Sequence, residues 1–202
     1  MCMSDSSLEK SQLAETALSD ETALVSLVEN LSSSSRMTRQ SSASALSLVA
    51  DKDASLLSSH ISAFVDALNR PEAQTRWEVL DILTKLVAFD SRSCATAING
   101  AEAALFDEGS GPLRLAAMRF LCKVGGTTEL RSQKVWPLVD EAIQCYHGDV
   151  EFLSMLNGVI EFAGGTLADN VRGELKERMS FDASNSKGLL QRRAQEILDA
   201  LG

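Results

Sequence analysis

Apolar residues recur three and four positions apart along nearly the whole chain, the spacing of helices with one or more buried faces. Four segments with this pattern open pairs: 54–69, 93–106, 132–146 and 167–181. Each is followed, after a short polar break, by a second periodic segment beginning near Thr75, Leu113, Val150 or Leu189. The breaks carry turn formers: Asn69 and Pro71, then Asp107 to Pro112, then His147 to Asp149. No stretch alternates polar and apolar with the period of two that a half-buried strand requires, so no sheet is expected. A further helix is expected over about Ser7 to Leu18, ahead of the paired segments.

The second segments align with one another. Their openers Arg39, Arg76, Arg114 and Glu151 stand 37, 38 and 37 residues apart. Four residues on come Ala43, Leu80, Met118 and Met155, and seven on come Leu46, Leu83, Leu121 and Gly158. A repeat of about 38 residues, each a helix, a turn, a helix and a turn, is the strongest signal in the chain. In the helix from Arg76 only Glu78, Asp81 and Lys85 form a polar stripe, while Trp77, Val79, Leu80, Ile82, Leu83, Leu86 and Val87 are apolar. Such a helix needs neighbours on three sides, which the inner layer of a stack supplies. Asp81 lies four residues before Lys85, the spacing of a favourable exposed pair on a helix. The helix from Leu113 is more apolar still, with Arg119 and Lys123 its polar positions beyond the first turn.

These features resemble the HEAT repeats, whose unit has an apolar-Pro-apolar opening, a turn with Asn or Asp, and a Val-Arg pair starting its second helix. Trp136-Pro137-Leu138, Asp149 and Val150 fit, with Glu151 in place of the Arg; Asp107, Leu113 and Arg114 fit in the preceding unit. Asn69, Pro71, Thr75 and Arg76 fit in the one before, where Arg70 occupies a position usual for Asp. The resemblance covers residues 20–202 as five units. It implies an all-α fold, a right-handed α-α superhelix (solenoid) of about five helical hairpins plus an N-terminal helix. The corresponding division is an acidic tail and capping helix over 1–19 and a repeat domain over 20–202. Armadillo-like units differ by an added short helix, which the turns here leave room for.

Composition narrows the function classes. The chain carries a net charge of −9, and residues 1–31 alone hold six acids and one Lys. That balance disfavours nucleic acid and anionic membrane as partners. No apolar run reaches the length of a membrane span, and no basic-then-apolar leader opens the sequence, so a cytoplasmic protein is expected. Cys2, Cys94, Cys122 and Cys145 are widely spaced and read as reduced thiols, with Cys122 and Cys145 as small core residues. Ser32 to Ser35 read as a plain flexible link.

The candidate chemistry is sparse. Cys145, His147 and Asp149 lie close in sequence, yet zinc needs three or four converging ligands and no second pair stands near. A His at a helix end, facing the negative pole of the dipole, is the better reading of His147. No elbow of the GxSxG kind exposes a nucleophile. Gly125-Gly126 and Gly164-Gly165 each follow a helix, where glycine terminates one, whereas phosphate cradles precede a helix. No catalytic residue, metal or cofactor is therefore expected. The expected function is a non-enzymatic scaffold that binds a protein or peptide on its concave face through Glu78, Asp81, Lys85, Arg119, Lys123, Ser154 and Glu161. The alternative, implied by the resemblance, is an enzyme or accessory like bilin lyases or DNA glycosylases, which the acidic charge opposes. The final helix offers Leu190, Ala194, Ile197, Leu198 and Leu201 as one apolar stripe and Arg192, Arg193, Gln195, Glu196 and Asp199 as its polar face. A monomer is expected from that capped end, with a homodimer through the last helix as the other arrangement.

Overall fold

The structure is a computed structural model that describes residues 2–202, with side chains described from Leu8 onward. Cys2, one of the four thiols considered above, lies outside the described side chains. Among the described residues the regular elements are all helical. They are α1 (Cys2–Ser19), α2 (Glu21–Glu29), α3 (Arg36–Asp53), α4 (Ile61–Ala67), α5 (Ala73–Cys94), α6 (Ile98–Leu105), α7 (Gly111–Gly125), α8 (Glu129–Cys145), α9 (Phe152–Ala163), α10 (Asp169–Asn185) and α11 (Gly188–Leu201). The chain divides into two compact units, Met1–Gly100 and Ala101–Gly202.

In the first unit α1 packs on α3 and α3 on α5, forming one row, while α2 and α4 pack beside it. In the second unit α7 packs on α9 and α9 on α11 in the same manner, with α8 and α10 side by side in a second row. The hairpins are thus consecutive in sequence and in space, as the periodicity predicts. The apolar stripes meet between them: Leu46, Leu80, Leu83 and Leu86 are fully buried in the first unit, and Met118, Leu121, Leu156 and Phe162 in the second.

Local chemistry sets the helix starts. Asp20 accepts from the Thr22 and Ala23 amides at 2.8 and 3.4 Å, Ser110 from Leu113 at 3.3 Å, and Thr128 from Arg131 at 3.2 Å. Each caps amides that the helix itself leaves unpaired. The segment Ser32 to Ser35 is not a plain flexible link. Ser35 caps α3 through the Thr38 amide at 3.3 Å, the Ser33 hydroxyl accepts from the Ser35 amide at 3.2 Å, and the Ser33 carbonyl accepts from Arg39 at 2.6 Å.

Three expected helices take a different course. The segment 54–69 is a 3-10 helix over Ala54–His60 before α4 begins, because the Asp53 carboxylate captures the Ser55 amide at 3.0 Å and starts a tight turn. At Asp90 α5 leaves helical geometry (φ −146°, ψ 82°), and its carboxylate caps the next turn through the Ser93 and Arg92 amides at 2.9 and 3.1 Å. Hydrogen bonds from Ser93 are the main reason its pKa is lowered. Short 3-10 segments at Asn30–Ser32 and Ala95–Ala97 flank α2 and α6. Pro137 does not open a helix; it stands inside α8, exposed, and leaves the Gln133 carbonyl without its helical donor.

The repeat is visible in polar bonds as well as in packing. Arg39 on α3 and Glu72 at the start of α5 form a buried two-point ion pair, one arm at 3.1 Å, each residue only 8% exposed. The equivalent opener one period beyond the next, Arg114, reaches Glu151 at 3.7 Å, lies 5.1 Å over the Tyr146 ring and donates to the Asp107 carbonyl at 3.0 Å. Glu151, which breaks the Val-Arg pattern, is thus the partner of the preceding arginine. The glycine pairs do end α7 and α9, but neither pair has a left-handed residue. The backbones touch instead: the Thr166 amide donates to the Gly126 carbonyl at 2.8 Å, and a Cβ on Gly165 would stand 2.5 Å from that oxygen.

Leu121→Ala should cost about 2–5 kcal/mol through lost burial and a residual cavity. Amide exchange should accelerate around α7 to α9 and leave α1 to α3 protected, since contacts in a repeat stack are between neighbours; equal acceleration throughout would show one cooperative globule. Gly165→Ala, although it adds only a methyl group, should destabilise by about 1–3 kcal/mol in chemical denaturation because backbone must move. Glu72 is held below its ordinary value of 4.5, chiefly by the Arg39 bond. A depressed carboxylate stabilises fully above its unfolded value and loses that contribution as pH falls through its folded one. Glu72→Gln should therefore lower the thermal midpoint at neutral pH, and the gap to the parent should close on acidification below about pH 4.

Candidate functional site

The residues expected to face a partner fall on two surfaces. In the first unit Glu78, Asp81 and Lys85 lie half-buried on the face of α5 that its neighbours leave open. Gln74, Trp77 and Thr84 complete this stripe at helical spacing, whereas Val79, Leu80, Ile82, Leu83 and Leu86 are buried. Trp77 is thus not among the core residues its apolar character suggests. It is half-buried, adjacent in sequence to Glu78 and one helical turn before Asp81.

Side chains from α3 hold this surface. The Ser44 hydroxyl donates to Glu78 at 3.0 Å and accepts from the Gln74 amide at 3.1 Å. Lys85 reaches Asp51 on α3 at 2.5 Å, 34 residues away, in addition to lying one helical turn from Asp81. Asp51 is exposed and Ser44 buried. The resulting patch has three carboxylates (Asp51, Glu78, Asp81), one ammonium and an indole. Ser44, Asp51, Gln74 and Trp77 were not singled out from the sequence. The signal for Gln74 and Trp77 was present, since they continue the stripe of Glu78 and Asp81 at i−4. Ser44 and Asp51 become legible only when α3 is laid against α5.

In the second unit Arg119 and Lys123 share the open face of α7 with Leu115, and Ser154 and Glu161 share that of α9 with Asn157 and Ile160. Lys123 and Glu161 are brought together as an ion pair across the two helices, 38 residues apart. Arg119 is exposed with no hydrogen bond or ion pair among the described residues, and Ser154 is half-buried. This face is apolar and basic on α7 and neutral to acidic on α9.

The thiols separate by environment. Cys94 and Cys122 are buried, whereas Cys145 is exposed, so it is not a core residue: it falls on the outer side of the last turn of α8. Burial pushes the Cys122 thiol far above its ordinary value, with the Glu161 charge adding to the effect, so no thiolate forms there near neutral pH. Instead of meeting metal ligands, His147 sits 3.3 Å from Asp182 on α10, with its ring 4.9 Å from that of Phe152. Among the described residues no three His, Cys, Asp or Glu side chains converge as metal ligands would, and no helix is long and apolar enough to cross a membrane.

No family model matches the chain, and no curated protein matches it. Solved structures do. A designed armadillo repeat protein in complex with the peptide (KR)4 shares 16% identity at a TM-score of 0.77, covering 96% of this chain and 90% of its own. Computationally designed armadillo repeat proteins for modular peptide recognition give 15% identity and a TM-score of 0.74, over 96% and 92% of the two chains. The archaeal HEAT-like repeats protein from Thermococcus onnurineus NA1 gives 16% and 0.58 over 95% and 92%. Likeness of this extent at such low identity establishes fold. The chain has the HEAT/armadillo-like helical-repeat fold, an all-α solenoid.

Proposed function

We propose that the protein is a non-enzymatic binding module for protein segments, with one candidate surface on the open face of the α3/α5 row of the first unit and another on that of the α7/α9 row of the second. One observation carries this reading: Trp77 stands on the surface of α5 between Gln74, Glu78 and Asp81 rather than in the core. A half-buried indole on the same stripe as two carboxylates offers a platform for the aliphatic stem and cationic head of Lys or Arg. The peptide-binding designs share the fold, and one of them was solved with a Lys-Arg peptide. The α7 face of the second unit, with Arg119 and Lys123, suits an acidic residue of a protein ligand. Net charge of −9 supports a protein ligand over nucleic acid. In this reading α1 caps the repeat domain of 20–202. The chain is a monomer, because Ala194 and Ile197 of α11 are buried while Arg192, Gln195, Glu196 and Asp199 are exposed.

A (Lys-Arg)4 peptide is the probe for the acidic part of this surface. Binding should protect amides of α3 and α5 from exchange and weaken steeply as salt rises. Glu78→Gln with Asp81→Asn should weaken it at least about tenfold, roughly 1.4 kcal/mol. Binding that spares α3 and α5, or that the double variant leaves unchanged, would remove this surface as the site.

A further inference from the structure

The second row of the Ala101–Gly202 unit carries a feature the first-row reading does not use. Helices α8 and α10 lie side by side, cross-linked by polar pairs about one repeat apart. Gln133 donates to Asn170 at 3.2 Å, the Trp136 indole donates to Glu174 at 2.6 Å, Arg178 grips Asp140 at 2.6 and 3.1 Å, and His147 meets Asp182 at 3.3 Å. Along these links runs a groove of two adjoining cavities, about 430 and 360 Å³, which share Arg178 and Phe181 as walls.

Two independent properties of this groove point to the same ligand. Phe181 is 70% exposed where the cavities meet, with α10's apolar residues Val171, Leu175 and Met179 all buried on the other side of the helix. The charge around it is one-sided. Arg178, the cation of the groove, is bonded by Asp140, and that hydrogen bond is the main reason its pKa is raised, with the Glu177 charge a smaller contribution. Asp182 is engaged by His147 and by Ser186 at 2.7 Å. Glu174 spends one oxygen on the indole, and Glu177 makes no hydrogen bond among the described residues. An aromatic face bordered by two available carboxylates is complementary to a planar cation, which stacks on the ring and bonds both acids in its plane.

We infer that this groove is a second docking site, for a partner segment bearing arginine, whose guanidinium lies on Phe181 and pairs with Glu174 and Glu177. The site is separate from the α3/α5 surface and stands or falls independently of it.

The test uses the full chain with Trp77→Phe, which leaves Trp136, bonded to Glu174, as the sole tryptophan. An eight-residue peptide alternating Arg and Gly is titrated against Trp136 emission, with the Lys-Gly counterpart in parallel. The expected result is a saturable change below about 1 mM, with the lysine peptide at least about threefold weaker for want of a planar cation. Phe181→Ala and Glu177→Gln, both at exposed positions and checked for helicity by circular dichroism, should each weaken the arginine peptide at least about fivefold. No saturable change would overturn the site. Equal affinity for the two peptides, or binding that survives Phe181→Ala, would show general attraction to an acidic protein and would also overturn it.

Discussion

Every element of this protein depends on the burial of helices too apolar to stand alone. In α5 the side chains of Val79, Leu80, Ile82, Leu83 and Leu86 are sealed, and only one stripe is left for polar residues. A single hairpin cannot seal such a helix; a neighbouring hairpin must supply a further wall, as α3 does for α5. The repeat length follows from this requirement, because each turn of the chain must return the next helix alongside its predecessor. Polar side chains then adjust the fit. Pairs such as Arg39–Glu72, Lys123–Glu161, Trp136–Glu174 and Arg178–Asp140 all join residues 33 to 38 apart, about one period.

This logic explains why fold was legible in sequence and contact surface was only half so. Apolar spacing marks a buried stripe directly, and Leu46, Leu83 and Leu121 are buried where their period places them. The same spacing identifies which polar residues of one helix share its open face, so Glu78 with Asp81 and Arg119 with Lys123 could be grouped. It carries no information about what the neighbouring helix contributes. Lys85 finds Asp51, and Glu78 finds Ser44, through packing geometry that no local spacing encodes. Apolar character alone also misleads at Trp77, which is half-buried because its position continues the polar stripe.

Turn chemistry was harder to read than helix content. Ser, Asp and Pro mark breaks, but whether they stop a helix, cap one or tighten it depends on which amides lie free nearby. Asp53 takes the Ser55 amide and tightens an expected α-helical start into a 3-10 turn, whereas Asp90 interrupts α5 and caps an α-helical turn through the Arg92 and Ser93 amides. Pro137 sits where a start was expected and is absorbed on the exposed side of a helix already under way.

The contact between Gly126 and Gly165 gives the second unit a fixed separation at one point. Where Gly158 of α9 faces the Arg119 backbone of α7 a methyl group would still fit, whereas here two stretches of main chain rest on each other. A main-chain contact works as a hard stop. It limits how closely the C-terminal ends of α7 and α9 approach, and with them Lys123 and Glu161, which bear charges a ligand must match. A larger residue at Gly165 would act as a shim, altering that spacing without touching any residue of the open face. Selectivity on such a scaffold can thus be retuned from the turns, at positions no ligand reaches.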